Sequence, residues 1–70
     1  MQMQFVRSSM IESIGFDGTN MDVTFVKGDK KARYFDVPRE TFNEVREAAS
    51  IGKAFNTMIK DGGFRFDYVD

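Results

Sequence analysis

Basic side chains are concentrated at residues 27–33, a segment whose single acidic residue is Asp29. On a strand, Lys31 and Arg33 would alternate with their neighbours and project to the same side. Positive side chains on one surface suit a phosphate backbone, and an aromatic ring beside them can stack on a base. The candidate nucleic-acid-binding residues are Lys27, Lys30, Lys31, Arg33, Tyr34, Lys53, Lys60 and Arg65.

These residues also have an ordinary structural interpretation, which we rank first. Lysines beside turns and edge strands protect a sheet from aggregation. Tyr34 suits a half-buried strand position, packing on the helix that contains Phe42 with its hydroxyl at the rim. A domain this small needs its aromatic side chains in the core. The further aromatic residues expected there are Phe35, Phe55, Phe64 and Phe66.

Catalytic chemistry has few candidates, since the chain contains no Cys and no His. Ser50 is explained better as a helix cap than as a nucleophile, because no base lies at a recognisable spacing. Asp17, Asn20 and Asp22 lie close enough to suggest a calcium loop, but the glycine and distal glutamate of an EF-hand are missing. We therefore predict a hairpin turn at this point, and no enzyme activity, metal, cofactor or small-molecule substrate.

Length and composition indicate one small domain, residues 1–70. The hydrophobic share of 41% and the aromatic share of 14% are too high for a disordered tail. A net charge of -1 argues mildly against a dedicated polyanion binder. No run approaches the roughly 20 apolar residues that a membrane helix needs, and no signal peptide is visible. We expect a soluble cytoplasmic protein without a membrane partner.

The elements that must position these residues follow from the periodicity of the apolar side chains. Alternation predicts strands in which Met21, Val23 and Phe25 form the clearest case. Turn-forming residues separate the first strands, and sequential strands usually pair. The predicted strands lie within residues 1–9, 10–16, 21–25, 32–35 and 64–68.

Two consecutive helices are predicted between the last two strands. Pro38 suits the first helical position. Phe42, Val45 and Ala49 then share one face of the first helix. Ser50 caps a second, shorter helix, which ends at residues 61–63. The sequence predicts an α+β fold: an antiparallel β-meander of three to five strands, two helices packed on one face, and a C-terminal strand.

The order of several short motifs resembles the KTSC domain, named after the C-terminal region of some lysyl-tRNA synthetases. The matching segments, in order, are residues 8–17, 21–25, 34–38 and 48–52, followed by Phe55-Asn56 and Ile59. The family also occurs as free-standing small bacterial or phage-borne proteins. It has no established biochemical activity, and RNA binding has been suggested for it.

Two positions depart from the family pattern. The family's tyrosine-any-tyrosine signature reads Ala32-Arg33-Tyr34 here, and Ala54 stands where the family tends to carry an aromatic residue. If the family's aromatic residues stack on bases, this chain has lost part of that surface. We therefore expect a non-enzymatic interaction module that binds protein, with a second copy of itself as one candidate partner. The alternative is an RNA- or tRNA-binding accessory module that uses the basic hairpin patch.

Overall fold

The computed structural model describes residues 2–69, apart from the side chain of Asp29. Its strands form one antiparallel sheet in the order β1-β2-β3-β4-β5, so each strand pairs with its neighbour in sequence. This confirms the predicted α+β fold with its meander and C-terminal strand. The strands are β1 (Met3–Phe5), β2 (Ile11–Phe16), β3 (Met21–Phe25), β4 (Lys31–Tyr34) and β5 (Phe66–Val69).

The register divides the side chains of the sheet between two faces. Ile14, Val23, Ala32 and Tyr68 lie in one row across β2 to β5, and the first three are buried beneath the helices. We call this side the helix face. Neighbouring residues on each strand point to the opposite side, the open face, because side chains alternate along a strand.

Both predicted helices are present. α1 (Arg39–Glu47) begins directly after Pro38, one residue later than predicted, and buries Phe42 and Val45. Ala49 does not extend this face as predicted: Ala48 is already extended, which ends α1, and Ala49 is exposed.

The second helix begins at the predicted cap. The Ser50 hydroxyl accepts a hydrogen bond from the Lys53 N–H at 3.3 Å. α2 (Ile51–Ala54) then continues as a π-helical segment (Phe55–Lys60), which buries Phe55 and Ile59 against the sheet. Gly63, at φ +82°, adopts the left-handed conformation that turns the chain back toward β5.

The core lies between the helix face and the two helices. Phe55 is its largest fully buried side chain. The other buried apolar residues are Ile11, Ile14, Met21, Val23, Ala32, Tyr34, Val37, Phe42, Val45 and Ile59. Within residues 2–69, no helix is both long and apolar enough to cross a membrane.

Candidate nucleic-acid interface

The helices leave the last strand uncovered. α1 packs over β2, where Phe42 stacks on Phe16 with ring centroids 4.8 Å apart. The π-helical segment packs over β3 and β4 through Phe55. β5 lies beyond both at the edge of the sheet, and its helix-face residues Phe66 and Tyr68 are 44% and 65% exposed.

These two rings form the wall of an aromatic groove of about 860 Å³. Phe66 stacks on Tyr34 with centroids 5.1 Å apart and ring planes at 25°, and Tyr68 meets Phe66 edge-on at 5.7 Å. Tyr34 and Phe55, both buried, contact each other edge to face at 5.6 Å. Phe25 completes the floor, with its ring centroid 5.7 Å from that of Phe55. Because each ring is fixed by another, the exposed aromatic surface is held in place.

Three lysines also line the aromatic groove. Lys27 and Lys30 come from the connection between β3 and β4, and Lys60 ends the π-helical segment. The connection is anchored at both sides, since the Phe25 N–H donates to the Lys30 carbonyl at 2.8 Å and the Val26 N–H donates to the Met10 carbonyl at 3.0 Å. The Lys30 ammonium lies 5.6 Å from the centre of the Tyr68 ring. This distance permits a cation–π interaction.

The charge of the groove is opposite in sign to that of the chain. Among its lining side chains that the structure describes, three lysines face one carboxylate, Asp61, for a formal charge of +2. The whole chain carries -1. Burial, and to a lesser degree the Tyr68 phenol, raise the pKa of Tyr34 above its ordinary value, so this ring is neutral near pH 7.

Two of the predicted basic residues lie on the other side of the sheet. Lys31 and Arg33 alternate with the buried Ala32 and Tyr34, which places them on the open face. The Arg33 guanidinium donates two hydrogen bonds to the Asp22 carboxylate, at 2.8 and 3.0 Å. This ion pair raises the pKa of Arg33, which thus stays charged, but the charge is matched by its partner.

The eight predicted site residues therefore do not form one surface. Lys27, Lys30, Tyr34 and Lys60 line the aromatic groove, while Lys53 lines a neighbouring cleft. The Arg65 guanidinium lies 4.6 Å from the centre of the Phe35 ring. The prediction of a single patch that included Lys31 and Arg33 is corrected by the register of β4, which sends them to the open face.

The structure also revises the aromatic predictions. Tyr34 is almost fully buried, and its ring contacts are with Phe55 and Phe66, whereas Phe42 stacks on Phe16. Phe55 is in the core as predicted. Phe66 is not, because it lies on an edge strand that no helix covers.

Tyr68, Phe25 and Asn56 were not predicted as site residues, although all three line the groove. The position of the last strand could have indicated that its aromatic side chains stay exposed. In a meander this strand must be an edge, so its aromatic side chains have a neighbouring strand on one side only.

Among the side chains that the structure describes, which leave out Asp29, no cluster of three or more acidic groups is arranged to hold a metal ion. No buried nitrogen or oxygen of these side chains lacks a hydrogen-bond partner.

Fold and groove together define a small α+β domain that displays aromatic rings between basic side chains. The chain belongs to the KTSC domain family, whose model matches residues 7–64. It is similar to a KTSC domain protein from Yersinia pestis, with 31% sequence identity and a TM-score of 0.90 to the crystal structure of that protein. The similarity covers 99% of this chain and 97% of that chain. No curated protein matches the chain.

Proposed function

We propose that the protein binds single-stranded RNA in the aromatic groove, and that it acts by binding rather than by catalysis. The observation that carries this proposal is the exposure of Phe66 and Tyr68 between Lys27, Lys30 and Lys60. We place this activity in the cytoplasm of a bacterium or of a phage-infected cell.

The exposed rings suit nucleobases because every base has a flat aromatic face. Stacking a base on a protein aromatic ring contributes about 1–3 kcal/mol. The Phe66 and Tyr68 rings meet edge-on, so they offer two differently oriented surfaces rather than one continuous plane. This arrangement favours an unpaired strand whose bases can turn independently over a duplex whose bases stay stacked.

The three lysines set the expected strength of the phosphate contacts. Each phosphate neutralised on a single strand contributes about 0.7 to the slope of log affinity against log salt concentration. Three contacts predict a slope of about -2, which corresponds to roughly a 20-fold loss of affinity between about 50 and 200 mM salt. Binding should therefore be modest and strongly salt-dependent.

The test is a titration of a fluorescently labelled single-stranded RNA over a salt series. Lys30 and Lys31 are adjacent in sequence but belong to the groove and to the open face, respectively. Lys30→Glu and Lys31→Glu are therefore matched variants that make the same change in net charge. We expect Lys30→Glu to weaken binding and flatten the salt slope, and Lys31→Glu to leave both close to the wild-type values. Equal effects of the two variants, or no binding at about 50 mM salt, would contradict the proposal.

Protein binding is a second candidate function, supported by a different observation. The outer side of β5 has no partner strand within residues 2–69, and an edge of this kind can pair with a strand of another chain. A second copy of this chain is one such partner. Self-association predicts that the mass measured by sedimentation equilibrium rises with concentration. A monomer mass at all concentrations would exclude self-association through this edge.

A further inference from the structure

We infer that the bound strand extends beyond the aromatic groove, and that its sugar–phosphate backbone continues into a basic cleft beside α2. This inference rests on the proposed function. The basic cleft, of about 400 Å³, lies between the connection of β1 to β2 and the start of α2. Ser9, Met10 and Asn56 line both the cleft and the aromatic groove, so the two are contiguous.

The basic cleft has a different chemistry from the groove. No aromatic ring is among its described lining residues, and the charged side chains in that lining, Arg7 and Lys53, are both positive. Both are exposed, and neither forms an ion pair with a side chain that the structure describes, a set that leaves out Asp29. The lining also includes three serine residues, Ser8, Ser9 and Ser50. Cations and hydroxyl groups suit phosphates and ribose, whereas stacking of bases needs the rings of the groove.

The wall of the basic cleft is held in a defined position. The Ser8 hydroxyl accepts hydrogen bonds from the N–H groups of Met10 and Ile11, at 3.1 and 3.2 Å. A Cβ placed on Gly52 would lie 3.3 Å from that same hydroxyl oxygen, so the helix start and the loop approach each other closely here. Arg7 and Lys53 therefore line a cleft with a fixed wall that adjoins the aromatic groove. The geometry assigns bases to the groove and backbone to the cleft.

The salt slope measures this division of roles directly. A 5′-phosphorylated trinucleotide carries enough phosphates for the three groove lysines, and we expect it to lose about 20-fold in affinity between about 50 and 200 mM salt. A nonanucleotide that also reaches Arg7 and Lys53 makes about five contacts. We expect it to lose roughly 130-fold over the same range. We compare the salt slopes of the two RNAs rather than their affinities. A longer strand offers more binding registers, and it therefore binds more tightly even without additional contacts.

The test uses a double variant, Arg7→Gln with Lys53→Gln, which we call the cleft variant. Its matched control is a second double variant with the same change in net charge, Lys31→Gln with Arg39→Gln. The control pair lines neither the groove nor the cleft. We expect the cleft variant to reduce the nonanucleotide slope to that of the trinucleotide and to leave trinucleotide binding unchanged. The control should change neither slope. Thermal melting of each variant reports whether it is folded.

Three outcomes would each overturn one of the two proposals. Equal slopes for the trinucleotide and the nonanucleotide on the wild-type protein would refute the path through the cleft, while groove binding would stand. An equal reduction by the control variant would show that the added slope comes from general charge, and would also refute the path. Absence of binding by both RNAs would refute the proposed function itself.

Discussion

Tyr68→Ala is the change that best separates binding from folding. The side chain is 65% exposed, and its ring makes a T-shaped contact with Phe66 and a cation–π contact with the Lys30 ammonium. Loss of one edge contact and one exposed cation–π contact costs the fold about 1–2 kcal/mol. Loss of a stacking surface costs RNA binding about 1–3 kcal/mol. That range corresponds to roughly a 5- to 150-fold rise in Kd.

The assay is fluorescence anisotropy with a labelled single-stranded RNA at about 50 mM salt, together with urea unfolding of the same protein samples. Phe5→Ala is the matched control. Phe5 is also an exposed aromatic residue, at 80%, but it lies on β1, at the opposite edge of the sheet from β5. We expect Phe5→Ala to leave Kd unchanged.

Two results would refute the reasoning about Tyr68. One is a wild-type Kd for a folded Tyr68→Ala protein, which would mean that its ring does not contact RNA. The other is an equal rise in Kd for Phe5→Ala, which would mean that binding responds to any exposed ring. A large loss of stability in Tyr68→Ala would show that the ring supports the fold more than its exposure indicates.

Two further predictions concern stability. In Gly62→Ala the added Cβ would overlap the Met58 carbonyl oxygen, whereas in Gly63→Ala the Cβ has open space but the backbone φ of +82° is unfavourable. Urea unfolding should show a loss of stability of about 2–3 kcal/mol for Gly62→Ala and about 1 kcal/mol for Gly63→Ala. The reverse order would contradict the packing at this helix end. The raised pKa of Tyr34 means that the folded chain holds this proton more tightly than the unfolded chain, so the free energy of unfolding should fall as the pH rises above about 10. The Tyr34→Phe protein should lose less stability than the wild type between about pH 8 and pH 11. Equal losses of stability in the two proteins would contradict the raised pKa of Tyr34.

Local patterns in the sequence identified the elements. The alternation of Met21, Val23 and Phe25 matches β3, and the cap at Ser50 matches the start of α2. The turn at residues 17–20 also formed as predicted: the Asp17 carboxylate accepts the N–H groups of Thr19 and Asn20 at 2.9 and 2.7 Å. These hydrogen bonds lower the pKa of Asp17. Each feature depends on residues that are close in sequence.

The candidate site was only partly predictable. Lys27, Lys30, Tyr34 and Lys60 were identified and line the aromatic groove, but they were grouped with the open-face residues Lys31 and Arg33. Residue type and spacing identified the positively charged side chains but did not show on which face of the sheet each one lies. A strand sends adjacent side chains to opposite faces, so Lys30 and Lys31 are separated although they are neighbours.

The family comparison alone would also miss the exposed rings. The matched region ends at residue 64, before Phe66 and Tyr68. The sequence drew attention to Ala32 and Ala54 as missing aromatic residues, but Ala32 is buried in the core. The aromatic surface of this chain is supplied instead by β5, which lies beside β4 in the sheet.

The sequence by itself determined the order of strands and helices, the caps and turns, and the family, because these depend on local periodicity and on short motifs. The tertiary structure decided which aromatic rings stay exposed and which lysines share a surface. Those properties depend on the register of β4 against β5 and on how far two short helices extend across five strands. Both are set by packing between residues distant in the chain, and no local pattern contains that information.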